Sequence, residues 1–354
     1  MRAGKGKFWQ ALGLLCIFLF LGSCENEVSQ QAKRPSPIRS IQTLQFEVDA
    51  GLEQKFLEQA RLFAKDVERI SRGHLIVSVV EKKEDTLPES EYDFAYLQNQ
   101  QLAQFSPSLK TLSLPFVYND MKHLSLALNS PDIRQLLQKQ LNSHVFPLAA
   151  LSRGDGLFLS MDAPQGDSIN SSRLMPPYFQ NFTIAVYGKN PEMISVFQGL
   201  GMYTVPSPDE DFLSVLNQYI VSENVTYFIN GVEVTKEQIL KKTEFPDSVY
   251  AIETWHNLSP VWFVAQSKTW ENLSGWEQAV IQEATAYMIA RFEESSNRYQ
   301  TVWEGEAEKR KIHLVQLERQ ALAATIYDSS SGSSHFLLPE YFDKKLFDLI
   351  QNYS

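Results

Sequence analysis

The sequence predicts an α/β protein of two lobes braced by one long helix. Three features support this fold: a strand–helix–strand order near the start, a hydrophobic content of 44% in 354 residues, and a very long helical pattern near the end. Leu44–Asp49 alternates as a strand does, Leu52–Ser71 has helical spacing, and a β-branched run follows Gly73. This order is typical of a βαβ unit and predicts a mixed sheet with helices packed on it.

The same alternation of extended and helical patterns continues through the middle of the chain. Extended patterns predict strands at Tyr92–Leu97, Val145–Ser152, Gly156–Met161, Asn181–Gly188, Val225–Gly231, Val249–His256 and Pro260–Gln266. Helical spacing predicts helices within Met121–Leu141, where Pro131 opens a second helix, and at Pro191–Gly201 and Asp211–Tyr219.

The apolar stretch "LSLPFVYNDMKHL" (Leu112–Leu124) joins two of these regions. Pro115 donates no backbone N–H, which argues against a central strand here. Asn119 or Asp120 is a good N-cap for the helix that follows. We expect a buried apolar crossing that leads directly into a helix.

The long helical pattern begins at Ser274, which forms a capping-box motif with Glu277, and continues to about Lys311. At 1.5 Å per residue this helix is roughly 50 Å long. It is longer than one small lobe, so we expect it to brace both lobes.

The first residues are typical of a secretory signal, with a basic start and an apolar run at Phe8–Leu21. The run ends in Leu21–Cys24, which resembles the signal of bacterial lipoproteins, in which the cysteine is acylated. We predict a signal peptide at 1–23, lipidation of Cys24 and a flexible tether over 24–40. The alternative is an ordinary cleaved signal with a cysteine nearby.

Charge and motifs argue against several functions. The formal charge of −10 makes nucleic acid an unexpected partner. The six histidines share no metal-ligand spacing, and the mature chain would keep one cysteine, so we predict no metal site and no disulfide framework. We find no nucleophile elbow, zinc-protease motif, P-loop or dinucleotide fingerprint, and we predict neither a cofactor nor an enzymatic activity.

Several segments together resemble the solute-binding proteins of tripartite ATP-independent periplasmic (TRAP) transporters. They are "FAKDVERISRGHLIVSVV", "YDFAYLQ", "LSLPFVYNDMKH" and "WHNLSPVWFVAQSKTWENLSGWEQAVIQEATAYMIA", and their order and spacing agree over most of Leu44–Leu317. The resemblance implies a two-lobe fold of the periplasmic-binding-protein type. It also implies lobe boundaries, with the first lobe formed by 41–152 and 257–290 and the second by 153–256 and 291–354.

The resemblance further implies where a ligand would bind. The family typically holds a carboxylate with arginine, but the two arginine positions align with Ala185 and Gly156, and Arg153 lies three residues before the latter. We therefore expect a ligand other than a simple carboxylate. The predicted ligand-binding residues are Asp49, Tyr96, Gln98, Arg153, Tyr187, Asn224, Thr226 and Trp255.

The resulting functional hypothesis is a lipid-anchored solute-binding protein on the periplasmic or cell-surface face of a bacterial membrane. It would capture a small molecule between its lobes and deliver it to the permease subunits of a TRAP-type transporter. The alternative hypothesis is a non-transport binding or interaction lipoprotein that keeps the fold and has lost ligand capture. An enzyme of unknown class is a third, weaker interpretation.

Overall fold

The computed structural model describes residues 41–82, 92–141, 144–161, 179–186, 191–206, 211–222, 224–246, 248–317, 319–327 and 338–353. The predicted signal, tether and lipidated Cys24 lie outside these residues, as does Tyr187. Within the described ranges, no helix combines the length and the apolar character needed to cross a bilayer.

The described chain alternates strands and helices, and two predicted elements differ from the structure. The helix predicted over Asp211–Tyr219 covers only Phe212–Val215, because the backbone becomes extended at Leu216. The strand predicted over Val225–Gly231 ends at Phe228, and a separate strand begins at Gly231. The strands are β1 (Gln42–Asp49), β2 (Leu75–Lys82), β3 (Phe94–Gln98), β4 (Val145–Arg153), β5 (Leu157–Ser160), β6 (Thr183–Val186), β7 (Tyr203–Pro206), β8 (Tyr219–Ser222), β9 (Val225–Phe228), β10 (Gly231–Val234), β11 (Val249–Glu253), β12 (Ser259–Gln266) and β13 (Ile312–Gln316). The helices are α1 (Gln54–Ser71), α2 (Asn99–Leu102), α3 (Met121–Leu128), α4 (Pro131–Leu141), α5 (Pro191–Gly199), α6 (Phe212–Val215), α7 (Lys236–Lys241), α8 (Ser267–Asn272), α9 (Gly275–Lys309), α10 (Arg319–Tyr327) and α11 (Lys344–Gln351), with a 3-10 helix at Pro107–Ser113.

The first lobe is built on a five-stranded sheet with the order β2-β1-β3-β12-β4. β1 is parallel to β2 and β3, whereas β12 is antiparallel to both of its neighbours, β3 and β4. One face of this sheet packs on α1 and α9 through a cluster of aromatic rings, in which Phe46 and Phe263 stack with centroids 4.9 Å apart. The amphipathic α1 predicted from the sequence therefore covers the βαβ unit as expected.

The second lobe is built on a six-stranded sheet with the order β13-β11-β5-β10-β6-β7. β5 runs antiparallel to β10 and β11, and the remaining paired neighbours are parallel. β8 and β9 pair only with each other and form a separate two-stranded ribbon. The sheet order therefore distinguishes β10, a central strand, from the ribbon that immediately precedes it.

Three segments connect the two sheets: residues 154–156 between β4 and β5, residues 254–258 between β11 and β12, and helix α9. The first two run side by side, since the carbonyl of Gly156 accepts hydrogen bonds from the backbone N–H groups of Thr254 and Trp255. The carboxyl end of β4 leads into the amino end of β5. Because β5 is antiparallel to β10 and β11, its amino end lies beside their carboxyl ends. The carboxyl edges of both sheets therefore meet at this junction.

Helix α9 has the predicted capping box, with the Ser274 hydroxyl and the Glu277 carboxylate each bonded to the other residue's backbone N–H. Its 35 residues correspond to about 52 Å. It contacts α1 and β4 of the first lobe and α7 and β13 of the second. The expectation of a helix that braces both lobes agrees with these contacts.

The apolar crossing predicted at Leu112–Leu124 is buried, and Asp120 caps α3 by accepting the N–H of His123 at 2.7 Å. Hydrogen bonds from the last helices fix this crossing. The Tyr327 hydroxyl donates to the carbonyl of Pro115, and the Gln351 amide donates to the carbonyl of Val117. The carbonyl of Ile350 is hydrogen-bonded to the His123 ring. α11 contacts α3, α4 and the 3-10 helix. These contacts are with first-lobe elements, and the division that assigns 291–354 to the second lobe stays a prediction.

Candidate functional site between the lobes

The candidate site lies where the carboxyl edges of the two sheets meet. β1, β3 and β4 end there at Asp49, Gln98 and Arg153, and β10 and β11 end there at Val234 and Glu253. Ligands of open α/β sheets bind outside the carboxyl ends of the strands. The sheet topology therefore predicts a ligand site at this junction.

A buried ion pair occupies the second-lobe side of the junction. Lys236, the first residue of α7, places its Nζ 2.9 Å from Oε1 of Glu253 at the end of β11, and both side chains are at most 4% exposed. The same ammonium donates to Gln300 of α9 at 2.6 Å, and the Trp303 indole N–H donates to Glu253 at 3.0 Å. Burial lowers the pKa of Lys236, and the attraction of Glu253 opposes that shift.

Trp255 lies between two cations at the same junction. The Nζ of Lys236 is 3.7 Å from the ring centroid, and the guanidinium carbon of Arg319 is 5.6 Å from it. Arg319 donates to the backbone carbonyls of Asn119 and Glu253, and burial lowers its pKa to about 10. Trp255 has φ of 52°, a left-handed conformation that is strained for a bulky residue.

A second buried polar chain runs behind the connecting strands. His256 Nε2 is 3.1 Å from a carboxylate oxygen of Glu233 on β10, and its Nδ1 is 2.5 Å from the Thr254 hydroxyl. The other oxygen of Glu233 is buried with no hydrogen-bond partner in the part of the chain that the structure describes. The order carboxylate–imidazole–hydroxyl is that of a catalytic triad, but all three side chains are buried in the lobe.

Arg153 is bound by two first-lobe side chains. Its Nε donates to Glu53 at 3.1 Å and its Nη1 donates to Gln98 at 2.8 Å. The structure thus brings together two of the predicted ligand-binding residues, Gln98 and Arg153. They contact each other, and the guanidinium is directed at protein acceptors.

The remaining predicted residues are dispersed. Tyr96 is buried in the aromatic cluster of the first lobe, with its hydroxyl 3.5 Å from the sulfur of Met288. Asp49 accepts the N–H of Gly51 in the turn before α1. Asn224 and Thr226 are exposed on the β8–β9 ribbon rather than at the edge of the six-stranded sheet. Of this group, Asp49 at the end of β1 and Trp255 lie at the junction.

The two positions that align with family arginines cannot accept a large side chain as the protein stands. Ala185 is fully buried in the middle of β6 and belongs to the second-lobe core. A Cβ on Gly156 would lie 2.8 Å from Cε1 of His256. The absence of arginine at these positions is therefore matched by close packing around them.

Two cavities flank α9 at the junction. One, of about 490 Å³, lies between the start of α1, the Gly154–Asp155 turn, the start of α7 and α9; its lining includes Lys55, Asp155, Glu237, Phe292 and Tyr299. The other, of about 470 Å³, is lined by the start of α3, Trp255, Arg319 and the opposite flank of α9. Both are large enough for a small-molecule ligand.

Sequence reasoning missed the start of α7, which supplies Lys236. The signal was present: Thr235 and Gln238 form a capping box directly after the strand-like "GVEV", and both reciprocal hydrogen bonds are observed. A strand that passes straight into a capped helix is typical of a functional edge in α/β proteins. Among the described residues, no group of three or more potential metal ligands is found.

Comparison with known proteins supports the fold assignment. No family model matches the sequence, and no curated protein matches it. Solved structures similar to this chain include three TRAP periplasmic solute-binding proteins. That from Rhodobacter sphaeroides, in an apo open state, has a TM-score of 0.65 and 14% identity, with 88% of this chain and 97% of that chain covered.

The protein from Ochrobactrum anthropi, with its C-terminus bound in the ligand-binding pocket, has a TM-score of 0.63 and 17% identity, covering 88% of this chain and 95% of that one. The protein from Shewanella oneidensis, with bound succinate, has a TM-score of 0.55 and 16% identity, covering 89% and 99%. The chain therefore has the two-lobe α/β fold of TRAP periplasmic solute-binding proteins.

Proposed function

We propose that the protein is a lipid-anchored, extracytoplasmic solute-binding protein of a TRAP-type transporter. It captures a small molecule between its lobes and hands it to the permease subunits. The observation that carries this proposal is the junction itself, where the carboxyl edges of both sheets meet beside a cavity of about 490 Å³. Proteins that close around a solute bury it between lobes of this kind.

The proposed ligand is other than a simple mono- or dicarboxylate. The relative from Shewanella oneidensis binds succinate, whereas the guanidinium of Arg153 in this chain is already bound by Glu53 and Gln98. Turning Arg153 toward a ligand would break both bonds, and charge-assisted hydrogen bonds contribute about 1.5–3 kcal/mol each. We expect calorimetric titration with succinate, L-galactonate and 2-oxo acids to show no micromolar binding.

A thermal-shift screen of small solutes tests the proposal. A specific ligand stabilises the folded protein by mass action and so raises the melting temperature. At a ligand concentration one hundred times Kd, the stabilisation free energy is about 2.7 kcal/mol. Trp255→Ala, which opens the junction, should weaken the response. If no solute in a broad panel of acids, sugars, amines and amino acids shifts the melting temperature, solute capture is wrong for this chain.

The rival function is a non-transport interaction lipoprotein, and one observation favours it. The hydrophobic core that contains Phe116 and Trp255 includes residues of both lobes, such as Leu124 of the first and Phe158 of the second. Such a continuous core opposes separation of the lobes. A protein whose melting temperature no solute raises, and which does not bind a TRAP-type permease, would fit this rival.

The anchor is tested separately at Cys24. Because acylation requires the thiol, Cys24→Ser should move the protein from the detergent phase to the aqueous phase of Triton X-114, or leave unprocessed precursor. Cys16→Ser, within the predicted signal, is the matched control and should leave partitioning unchanged. Unaltered partitioning of Cys24→Ser would show that the anchor lies elsewhere.

A further inference from the structure

The 490 Å³ cavity beside α9 contains two opposite charges, neither of which forms an ion pair with another residue that the structure describes. Lys55 on α1 and Asp155 in the turn after β4 both line it. They belong to different parts of the wall, and no ion pair joins them. Their environments decide what the cavity can bind.

The ammonium of Lys55 contacts aromatic rings and no acceptor. Its Nζ lies 5.2 Å from the ring centroids of Phe56 and of Phe292, and no hydrogen bond or ion pair to Lys55 occurs within the described ranges. Burial lowers the pKa of Lys55, while the carboxylates of Glu53 and Asp155 oppose the shift. The charge of Lys55 is therefore poorly compensated.

The carboxylate of Asp155 is 9% exposed and accepts one hydrogen bond, from the backbone N–H of Lys236 at 3.3 Å. The ammonium of Lys236 itself is directed at Glu253. Burial raises the pKa of Asp155, with the charge of Lys236 opposing the shift. Lys236, His256 and Lys55 act on this carboxylate from a distance, and no cation of the described residues pairs with it directly. A buried carboxylate without a direct counter-ion is costly unless a bound group supplies one.

The other charges on the cavity wall have partners. Glu53 is paired with Arg153 at 3.1 Å, and Glu237 with Lys241 at 2.7 Å. The remaining lining is uncharged, with the amide of Gln54 and the hydroxyls of Ser295 and Ser296 beside apolar groups. One cation and one anion thus remain available to a ligand.

We propose that this cavity binds a zwitterionic solute of the amino-acid or betaine class, with its carboxylate at Lys55 and its ammonium at Asp155. The inference rests on the proposed solute-binding function and specifies its ligand class. A zwitterion neutralises both wall charges together, whereas a simple acid leaves the buried Asp155 unpaired and a simple amine leaves the half-buried Lys55 unpaired. The ring of Tyr299, which lies within electrostatic reach of Asp155 on the same wall, also suits an ammonium group.

The experiment begins with a thermal-shift screen of the twenty L-amino acids and glycine betaine against the full-length protein in detergent. The best solute is then titrated calorimetrically beside two analogues, its decarboxylated amine and its deaminated acid; for L-leucine these are 3-methylbutylamine and 4-methylpentanoate. Each analogue loses one charge-assisted contact, so we expect each to bind about 10- to 100-fold more weakly.

Two variants link the binding to this cavity. Lys55→Gln and Asp155→Asn should each weaken binding of the zwitterion about 10-fold or more, and Asp155→Asn should leave affinity for the deaminated acid unchanged. Lys65→Gln on the exposed side of α1 and Asp348→Asn on α11 are matched controls that should bind as the wild type does.

The outcomes separate the two levels of the proposal. If zwitterions leave the melting temperature unchanged while a sugar or a simple acid raises it, the ligand class is wrong and solute capture stands. If zwitterions bind, and Lys55→Gln and Asp155→Asn bind them as tightly as the wild type does, the ligand does not bind in this cavity. If no solute of any class binds, the proposed function fails together with this inference.

Discussion

At the residue scale, two cations at the junction, Lys236 and Arg153, are bound by side chains of the protein itself. The ammonium of Lys236 is bound by Glu253 and Gln300 and stacked on Trp255, and the guanidinium of Arg153 is bound by Glu53 and Gln98. Such groups stabilise a particular arrangement of strand ends when all of their partners are present. Removal of one partner leaves a buried charge without compensation.

Lys236→Met tests this dependence. Loss of the cation leaves the carboxylate of Glu253 buried, so we expect the free energy of unfolding to fall by about 3–5 kcal/mol. In the double variant Lys236→Met/Glu253→Gln most of that loss should be recovered, as urea denaturation would measure. Lys241→Met, which breaks an exposed pair with Glu237, should cost about 1 kcal/mol or less. Equal losses in the two single variants would contradict this account.

Gly156 is a position where a single methyl group should be harmful. In Gly156→Ala the new Cβ would meet the His256 ring at 2.8 Å and the backbone N of Asn257 at 3.1 Å. We expect a loss of about 1–3 kcal/mol from overpacking, measured as a lower melting temperature. An unchanged melting temperature would mean that His256 moves aside without cost.

At the scale of secondary-structure elements, α9 packs on the first-lobe core up to Phe292 and on the second-lobe core through Trp303 and Ala307. Gly305 lies inside this helix, and nothing comes within 4 Å of a Cβ built on it. Glycine in a helix interior is less favourable than alanine by about 0.8–1.0 kcal/mol. Gly305 therefore lowers the stability of α9, and the surrounding space allows a larger residue at this position.

Gly305→Ala should raise the free energy of unfolding by about 0.5–1 kcal/mol, because alanine restricts the unfolded chain and fits the helix. Chemical denaturation of the variant beside Gly156→Ala would show opposite signs for the same substitution. A destabilised Gly305→Ala would indicate that this segment of α9 contacts a partner that needs the glycine.

At the scale of the whole molecule, two properties compete. Three connections join the two sheets, and in proteins that close on a ligand such connections act as the hinge. The shared core around Phe116 and Trp255, in contrast, favours one fixed arrangement. A ligand closes the lobes only if it binds the closed state more tightly than the open one.

Small-angle scattering measures which property dominates. For a zwitterionic ligand in this cavity we expect a decrease in the radius of gyration on saturation, since the cavity lies between α1 of the first lobe and the start of α7 of the second. The Asp155→Asn variant at the same ligand concentration is the control and should show a smaller change. Tight binding with an unchanged radius of gyration would show that the lobes are already fixed.

The sequence by itself determined the local elements of this protein. Periodicity and caps predicted α1, α3 and the ends of α9 because a helix terminus is specified by a few adjacent residues, as at Asp120 and Ser274. Pro115 similarly predicted that the apolar crossing is not a central strand. The order of these segments was sufficient to indicate two lobes braced by a long helix.

The tertiary structure alone decided which side chains meet at the junction. The alternation of side chains along a strand assigns Tyr96 to one of two faces, but it does not show which face is buried in the core. No local sequence signal distinguishes the β8–β9 ribbon from the central strand β10. Lys55, Asp155 and Lys236 are brought together by contacts between residues far apart in the chain. The chemistry of the candidate site therefore depends on strand order and packing, which hydrophobic periodicity does not encode.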